Sequence, residues 1–339
     1  MKRIGASIPA QRMTWITCAA ALAAVCLSGS LRAAPHPANA PVVMRTYTYK
    51  TVGDVKIQAD VYRADDAQPR PVLLWLHGGA LIVGNRQNIR PDLLDLCRAE
   101  GYCLVSPDHR LAPEVKLPQI IEDLQDSIRW VNEKEGPELF HADPSRIVVA
   151  GNSSGGYLTL MAGLCRPCPK ALVSYWGFGK VGGPVWGSRS PNPTVSKEEA
   201  EKAISKVPLT NVQWNTKLCN DRLHKLFAHL GQNGLLAKEI VGFDAYDQKG
   251  LAPYCPVRNI MPKYPPILLI HGEADTSVPC QESLDMAEQL NKNGVRYELI
   301  TVPGAGHGLG GGDKKLVDKA LARAREFIKE MLSPQPVPQ

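Results

Sequence analysis

The stretch Gly151-Asn152-Ser153-Ser154-Gly155 places two adjacent serines between glycines, and the G-x-S-x-G frame selects one of them. Gly151 and Gly155 stand two residues on either side of Ser153; centred on Ser154, the frame would need a glycine where Asn152 stands. An apolar run, Arg146 to Ala150, leads into this corner, and a helical pattern from Ser154 to Leu164 leads out. An abrupt strand-to-helix corner projects one side chain, and flanking glycines relieve crowding by the neighbouring backbone. A serine hydroxyl is a weak nucleophile: it needs a base, and the base needs an orienting acid. Searching in the order serine, acid, histidine yields Asp275 in "HGEADTSVP" and His307 in "PGAGHGLG", each just after a predicted strand. Such a set performs acyl transfer, with Ser153 attacking a carbonyl, His307 carrying the proton and Asp275 holding the imidazole.

The alternatives for each role are weaker. Glu273 competes with Asp275 but lies closer to its strand end. His77 and His271 stand at strand ends, where structural hydrogen bonds are their expected use. His109, His141, His224 and His229 have no acid in the required order. A tetrahedral intermediate also needs backbone donors. "WLHGGALIVG", residues 75–84, supplies a small-residue loop in which Gly78, Gly79 and Ala80 can bring N–H groups to a substrate oxygen. The N–H of Ser154 is the expected partner donor. Which two of Gly78, Gly79 and Ala80 donate is left open.

The elements that must hold these residues are legible as periodic runs. "RTYTYK" and "VKIQADVYR" alternate around Gly53-Asp54 as an antiparallel hairpin. "PVLLWLH", "YCLVSPD", "RIVVAGN", "ALVSYW", "PPILLIHG" and "YELITVP" are short apolar runs of the buried-strand type. Helical patterns cover residues 90–100, 118–135, 154–164, 280–292 and 313–331. This alternation predicts an α/β fold with a mostly parallel central sheet and helices on both faces. From about 177 to 260 no buried strand is evident, and Trp186, Trp214, Phe227 and Phe243 are scattered through polar helical patterns. That length predicts an inserted helical cap rather than a structureless loop.

The chain has 339 residues, of which 44% are hydrophobic and 21% charged, and it carries a formal net charge of +6. That composition suits a folded globular protein. Its Lys and Arg are dispersed among acids, so no basic face argues for nucleic acid. Basic residues precede the apolar run 13–27, which is short for a membrane span. Residues 1–40 are therefore expected to be a signal peptide and linker, and 41–339 the catalytic domain, exported to the periplasm or outside. The alternative is a membrane anchor through an uncleaved segment. No stable membrane span is expected after cleavage.

Nine cysteines are present, and seven lie beyond the predicted signal. Cys165-Arg166-Pro167-Cys168 has C-x-x-C spacing but no companion pair to complete a zinc set, so a loop disulfide or two inert thiols is expected. Gly306, Gly308 and Gly311 satisfy G-x-G-x-x-G, yet too little chain follows for the rest of a dinucleotide-binding unit. Neither a metal nor an organic cofactor is called for.

Taken in order, "HGGA", "DHRLAPE", "GNSSGG", "HGEADTSVP" and "GAGHG" resemble the α/β-hydrolase superfamily over about residues 45–332. Within it they are most similar to the carboxylesterase branch related to hormone-sensitive lipase and bacterial acetyl esterases. The resemblance implies an α/β-hydrolase fold, the triad Ser153, Asp275 and His307, and oxyanion donors among Gly78, Gly79 and Ala80. It implies hydrolysis of carboxylic esters through an acyl-enzyme, with short acyl groups, such as acetate on carbohydrate, in the substrates. Amidase, formamidase or peptidase chemistry on the same triad is the alternative, and a catalytically silent binding protein a further one. Three departures stand out: Ala80 replaces a glycine or aromatic, His109 a tyrosine, and Asn152 an acid. Asp108, Arg110 and Glu114 are expected to form one structural ion-pair cluster.

Overall fold

The computed structural model describes residues 41–334 except 134, 191 and 192. The predicted signal segment, with its apolar run 13–27, lies outside the described residues. Eight strands form one sheet: β1 (Val42–Val52), β2 (Val55–Ala64), β3 (Arg70–Leu76), β4 (Cys103–Pro107), β5 (Ala142–Asn152), β6 (Ala171–Tyr175), β7 (Ile267–Gly272) and β8 (Tyr297–Val302). Their order is β1-β2-β4-β3-β5-β6-β7-β8. β1 and β2 form the expected hairpin, closed at Val52 and Val55 by Gly53 with φ +56°. A two-residue hairpin turn needs such left-handed backbone, which glycine adopts without strain. β2 also runs antiparallel to β4, and every pairing from β4 through β8 is parallel.

β3 shows why these strands read as unbroken apolar runs. Val72, Leu74 and Leu76 join a core cluster with Ile120, Leu124 and Ile128 of the helix Leu117–Asn132 and Leu158 and Leu160 of the helix Ser154–Ala162. Leu73 and Trp75 point the other way, into a cluster with Leu93 and Leu96 of the helix Pro91–Glu100 and Phe327 and Ile328 of the helix Lys314–Leu332. Alternate side chains therefore enter two different cores, and neither face can be polar. Each fully buried Leu or Val contributes about 1.5–3 kcal/mol relative to exposure.

The helix predicted over 118–135 is divided. It runs Leu117–Asn132, and a second short helix follows at Glu135–Phe140. At Gly136 the chain passes so close to the first helix that a Cβ would lie 2.4 Å from the Val131 carbonyl oxygen. β5 begins four residues before the predicted "RIVVAGN", because Ala142 pairs with Arg70 ahead of a register shift.

Between β6 and β7 the chain forms short helices, among them Lys197–Glu201, Lys217–Asp221 and Ala228–Gln232, and two π-helical stretches, Arg222–Phe227 and Ala237–Val241. Arg222 fastens this insertion to the loops that follow β3 and β4. It is fully buried and donates from Nε to the Ile82 carbonyl at 2.6 Å, from Nη1 to Glu114 at 2.7 Å, and from Nη2 to Glu114 at 2.8 Å and to the Ala112 carbonyl. Gly84 and Val212 exchange backbone hydrogen bonds at 3.0 Å, a second tie between the insertion and the segment after β3.

The expected cluster of Asp108, Arg110 and Glu114 is not formed. Asp108 pairs with Arg86 at 2.6 Å, Arg110 with Asp123 at 2.8 Å and Glu114 with Arg222. Close in sequence, these charges leave β4 in different directions, and each finds its own counter-ion. All seven cysteines among the described residues are thiols. In the C-x-x-C pair, Cys165 and Cys168 donate weakly to the Met161 and Gly163 carbonyls, and burial pushes the Cys165 thiol up to about 12. Those are the inert thiols of the sequence reading rather than a disulfide. Among the described residues no helix is long and apolar enough to cross a membrane.

Candidate active site

Ser153 sits at the junction of β5 and the following helix with φ +56° and ψ −122°. That is left-handed, strained backbone for a non-glycine residue, of the kind held in place only by its surroundings. Its N–H donates to the Tyr175 carbonyl at 2.9 Å. The glycines of the frame answer to space: a Cβ on Gly151 would lie 2.4 Å from the Gly155 carbonyl oxygen, and one on Gly155 would lie 2.1 Å from that of Leu76. No larger residue fits either position with the corner intact.

Asp275 and His307, from the turns after β7 and β8, converge on Ser153. His307 Nδ1 lies 2.8 Å from Asp275 Oδ2, and its Nε2 lies 3.1 Å from Ser153 Oγ. Since the carboxylate accepts, Nδ1 carries the hydrogen and Nε2 is free to accept from the hydroxyl. The other oxygen of Asp275 accepts the amides of Ser277 and Val278, both at 2.9 Å, so the acid is fixed at both ends. Asp275 is only 6% exposed, whereas Glu273, its competitor, accepts from Thr301 Oγ1 at 2.7 Å and makes no contact with His307. His271 lies beneath the acid, donating from Nε2 to the Val278 carbonyl and accepting from Ser283 Oγ; burial lowers its pKa, so it stays neutral.

The loop after β3 is drawn equally close. A Cβ on Gly78 would lie 2.8 Å from the Asn152 carbonyl oxygen, and Gly79, at φ +120°, faces the Val83 carbonyl at 2.2 Å from the same construction. Ala80 and Leu81 are left-handed at φ +54° and +65°. His77 Nδ1 donates to the Gly78 carbonyl at 2.8 Å, and the Gly79 carbonyl accepts from Ile82 and Val83. With the carbonyls turned to these donors, the amides of Gly78, Gly79, Ala80 and Ser154 have no acceptor among the described residues. Free N–H groups beside a nucleophile are what a developing oxyanion requires.

A cavity of about 1080 Å³ joins these groups. Its lining includes Gly78, Gly79, Ala80, Ser153 and His307 from the sheet's carboxyl edge, and Trp186, Trp214, Leu223 and Phe227 from the insertion. Three of the four aromatics noted in the insertion thus face the site; Phe243 packs on Tyr254 instead. Trp176, which the sequence offers only as the end of the buried run "ALVSYW", lines the cavity and meets the His307 ring edge-on, with centroids 6.4 Å apart. Its signal was available, since it directly follows β6, beside the strand that carries Ser153. Among the described residues, no group of three or more His, Cys, Asp or Glu is arranged to hold a metal ion.

The eight-stranded sheet and the placing of these residues on its carboxyl edge are those of the α/β-hydrolase fold. Residues 59–290 match the BD-FAE family model, and the chain belongs to that family. Residues 248–334 also match the dienelactone hydrolase family.

Among curated relatives, Esterase LipC of Mycobacterium tuberculosis is 26% identical over 288 residues, covering 81% of this chain and 64% of that protein. The non-reducing polyketide synthase atr1 of Stereocaulon alpinum is 26% identical over 300 residues, covering 78% of this chain but 12% of the synthase. The chain thus spans less than two thirds of either relative. Among solved structures, the Pyrobaculum calidifontis esterase shares the fold with a TM-score of 0.62 and 24% identity, covering 87% of this chain and 88% of that one. The Thermogutta terrifontis esterase Est2 does so at 0.60 and 22%, covering 86% and 95%. A truncated carbohydrate esterase from gut microbiota does so at 0.57 and 20%, covering 86% and 97%.

Proposed function

We propose that the protein is a serine carboxylesterase working through an acyl-enzyme. The observation that carries this reading is the relay from Asp275 to His307 to Ser153, at 2.8 and 3.1 Å, with the tautomer of His307 set by the acid. Ser153 Oγ attacks the ester carbonyl as His307 Nε2 takes its proton, and the carbonyl oxygen becomes an oxyanion facing the amides of the Gly78–Ala80 loop and Ser154. Collapse of that intermediate expels the alcohol, which receives the proton from His307. Water then attacks the acyl-enzyme by the same route and releases the acid. Asp275 orients the imidazole throughout and stabilises its charged form.

For the substrate we propose a short, acetyl-type acyl group on a carbohydrate alcohol. The cavity is far larger than an acetyl group, so most of it is available to the alcohol. Its indole and phenyl walls offer flat apolar faces on which sugar rings stack, and Gln248, Arg258 and Glu282 offer polar atoms for hydroxyl groups. The likeness in fold to a gut carbohydrate esterase is in keeping with this. Export through the segment 1–40 is proposed with it, since such substrates lie outside the cell.

The test is hydrolysis of p-nitrophenyl esters of increasing acyl length, beside acetylated xylan, a feruloyl ester and an anilide, by the wild type and Ser153→Ala. We expect activity on the shortest esters and on acetylated xylan, and a loss of at least about 10³-fold in kcat in the variant. Undiminished turnover by a folded Ser153→Ala protein overturns the nucleophile assignment. A preference for long acyl chains overturns the substrate class, and faster anilide cleavage turns the reading to an amidase.

A further inference from the structure

Two side chains in the lining of the cavity, Asn88 and Arg90, carry N–H groups with no acceptor among the described residues. Asn88, Ile89 and Arg90 line it beside Trp176, His307 and Gly308. Asn88 Oδ1 accepts the backbone amide of Asn85 at 2.8 Å, which fixes the oxygen and leaves Nδ2 with no acceptor among the described residues. Arg90 donates to Asp92 from Nε and Nη2, both at 3.1 Å, and its Nη1 has no acceptor among the described residues. The guanidinium carbon lies 4.8 Å from the centre of the Tyr175 ring and 5.9 Å from that of Trp176, within cation–π reach of both. Asp92 is shared with Arg325 at 3.2 Å, so two guanidinium groups meet one carboxylate and the cluster keeps one net positive charge. The rest of the cavity differs: Lys180 pairs with Asp285, and Glu282, which accepts the amides of Gly179 and Lys180, and Arg258, which donates to Gln248, carry opposite charges, so that group is neutral overall.

Trp176 stands between this cationic wall and His307, touching both. His307 is the group that delivers the proton to the departing alcohol, so the wall borders the alcohol side of the reaction. We propose that Arg90 and Asn88 form a subsite for a carboxylate carried by the alcohol part of the substrate, so that the enzyme favours esters of hydroxycarboxylates over their neutral counterparts. A guanidinium already seated over a ring and bonded to Asp92 offers its remaining donors to a carboxylate at little cost in side-chain freedom. This inference rests on the ester-hydrolysis reading and adds to it the charge of the alcohol.

The experiment compares kcat/KM for 4-acetoxybenzoate and 4-acetoxybenzamide, which share an acyl group and an aromatic ring and differ in charge. Because each enzyme variant meets the same pair, the intrinsic reactivity of the two esters cancels when their ratios are compared. We expect Arg90→Gln to lower the carboxylate-to-amide ratio by about tenfold, the usual loss for one charged hydrogen bond. Asn88→Asp retains the oxygen that Asn85 needs and adds a negative charge, so it should lower the ratio at least as much. Ratios unchanged in both variants overturn the subsite, as does an equal fall on both esters, which would mark Arg90 as a packing partner of Trp176 alone. Turnover of 4-nitrophenyl acetate is read in parallel. If the wild type cleaves no ester, the hydrolysis reading and the subsite fall together; if it cleaves them with unaltered ratios, only the subsite falls.

Discussion

The imidazoles of His77 and His109 stack face to face in the interior, with centroids 4.5 Å apart and planes 12° from parallel. Each donates from Nδ1 to a carbonyl, His77 to Gly78 and His109 to Arg110, and each is left with a buried Nε2 that has no partner among the described residues. Burial drives the His77 pKa down to about 3, helped by His109, and lowers that of His109 as well. The unfolded chain binds protons at both near pH 6.5, while the native state does not. For His77 the unfolded state therefore holds more protons between about pH 6.5 and 3, and His109 adds to the effect in the same direction below 6.5, so stability falls as pH falls, by at most about 1.4 kcal/mol per pH unit for each ring. His109→Phe should flatten that acid slope in urea unfolding measured from pH 7 to 4, a range set by these shifts. A slope identical to wild type would show that the pair does not govern acid sensitivity.

Arg222 and Glu114 are 0% and 3% exposed at the side chain, and Glu114 also accepts the Ser205 amide. Removing one partner strands the other charge in the interior, so Glu114→Ala should cost about 3–5 kcal/mol. The double variant Arg222→Met, Glu114→Leu should recover much of that loss, because both desolvation penalties vanish together. Urea midpoints of Glu114→Leu, Arg222→Met and the double variant decide the matter; strictly additive losses would contradict a coupled buried pair.

Two acids compete for His307 in the sequence and only one touches it in the structure. Asp275→Asn should lower kcat by about 10⁴-fold, since an amide can present the wrong partner to Nδ1. Glu273→Gln should alter kcat by less than about twofold, as expected for a surface change away from such features. Comparable losses in both would remove Asp275 from its proposed role.

Gly155 and Gly304 give opposite expectations for the same change to alanine. At Gly155 the new methyl would lie 2.1 Å from the Leu76 carbonyl oxygen, so the corner must shift, and a loss above about 4 kcal/mol or failure to fold is expected. At Gly304 nothing lies within 4 Å, and only the left-handed φ of +69° resists, at about 1–2 kcal/mol. Thermal unfolding of the two variants should separate them clearly; equal midpoints would mean that the corner relaxes.

What was legible in the sequence was local or ordered along the chain. The G-x-S-x-G frame, the glycines after β3 and the acid and histidine after β7 and β8 could be found because each occupies a strand end, and strand ends on one sheet edge meet without further instruction. The signature does not state counter-ions. Glu114 meets Arg222 across 108 residues, and Arg110 meets Asp123 after a turn into the next helix, so proximity in sequence suggested the wrong partners. The insertion showed its aromatics but not which of them face inward, because its short helices and π-helical stretches repeat too briefly to fix a face. Trp176 and Arg90 fall within a strand run and a helical pattern of the sequence, yet each lies one residue outside its element, where periodicity does not say which way a side chain faces.

The corner at Ser153 has a practical consequence. Its shape is imposed by glycines and backbone carbonyls, and the serine hydroxyl contributes a single hydrogen bond, to His307. Deleting that oxygen should leave the receptor intact while stopping the reaction. Ser153→Ala would then serve as a trap that retains an uncut ester, and the natural substrate could be fished from a mixture and identified by its mass.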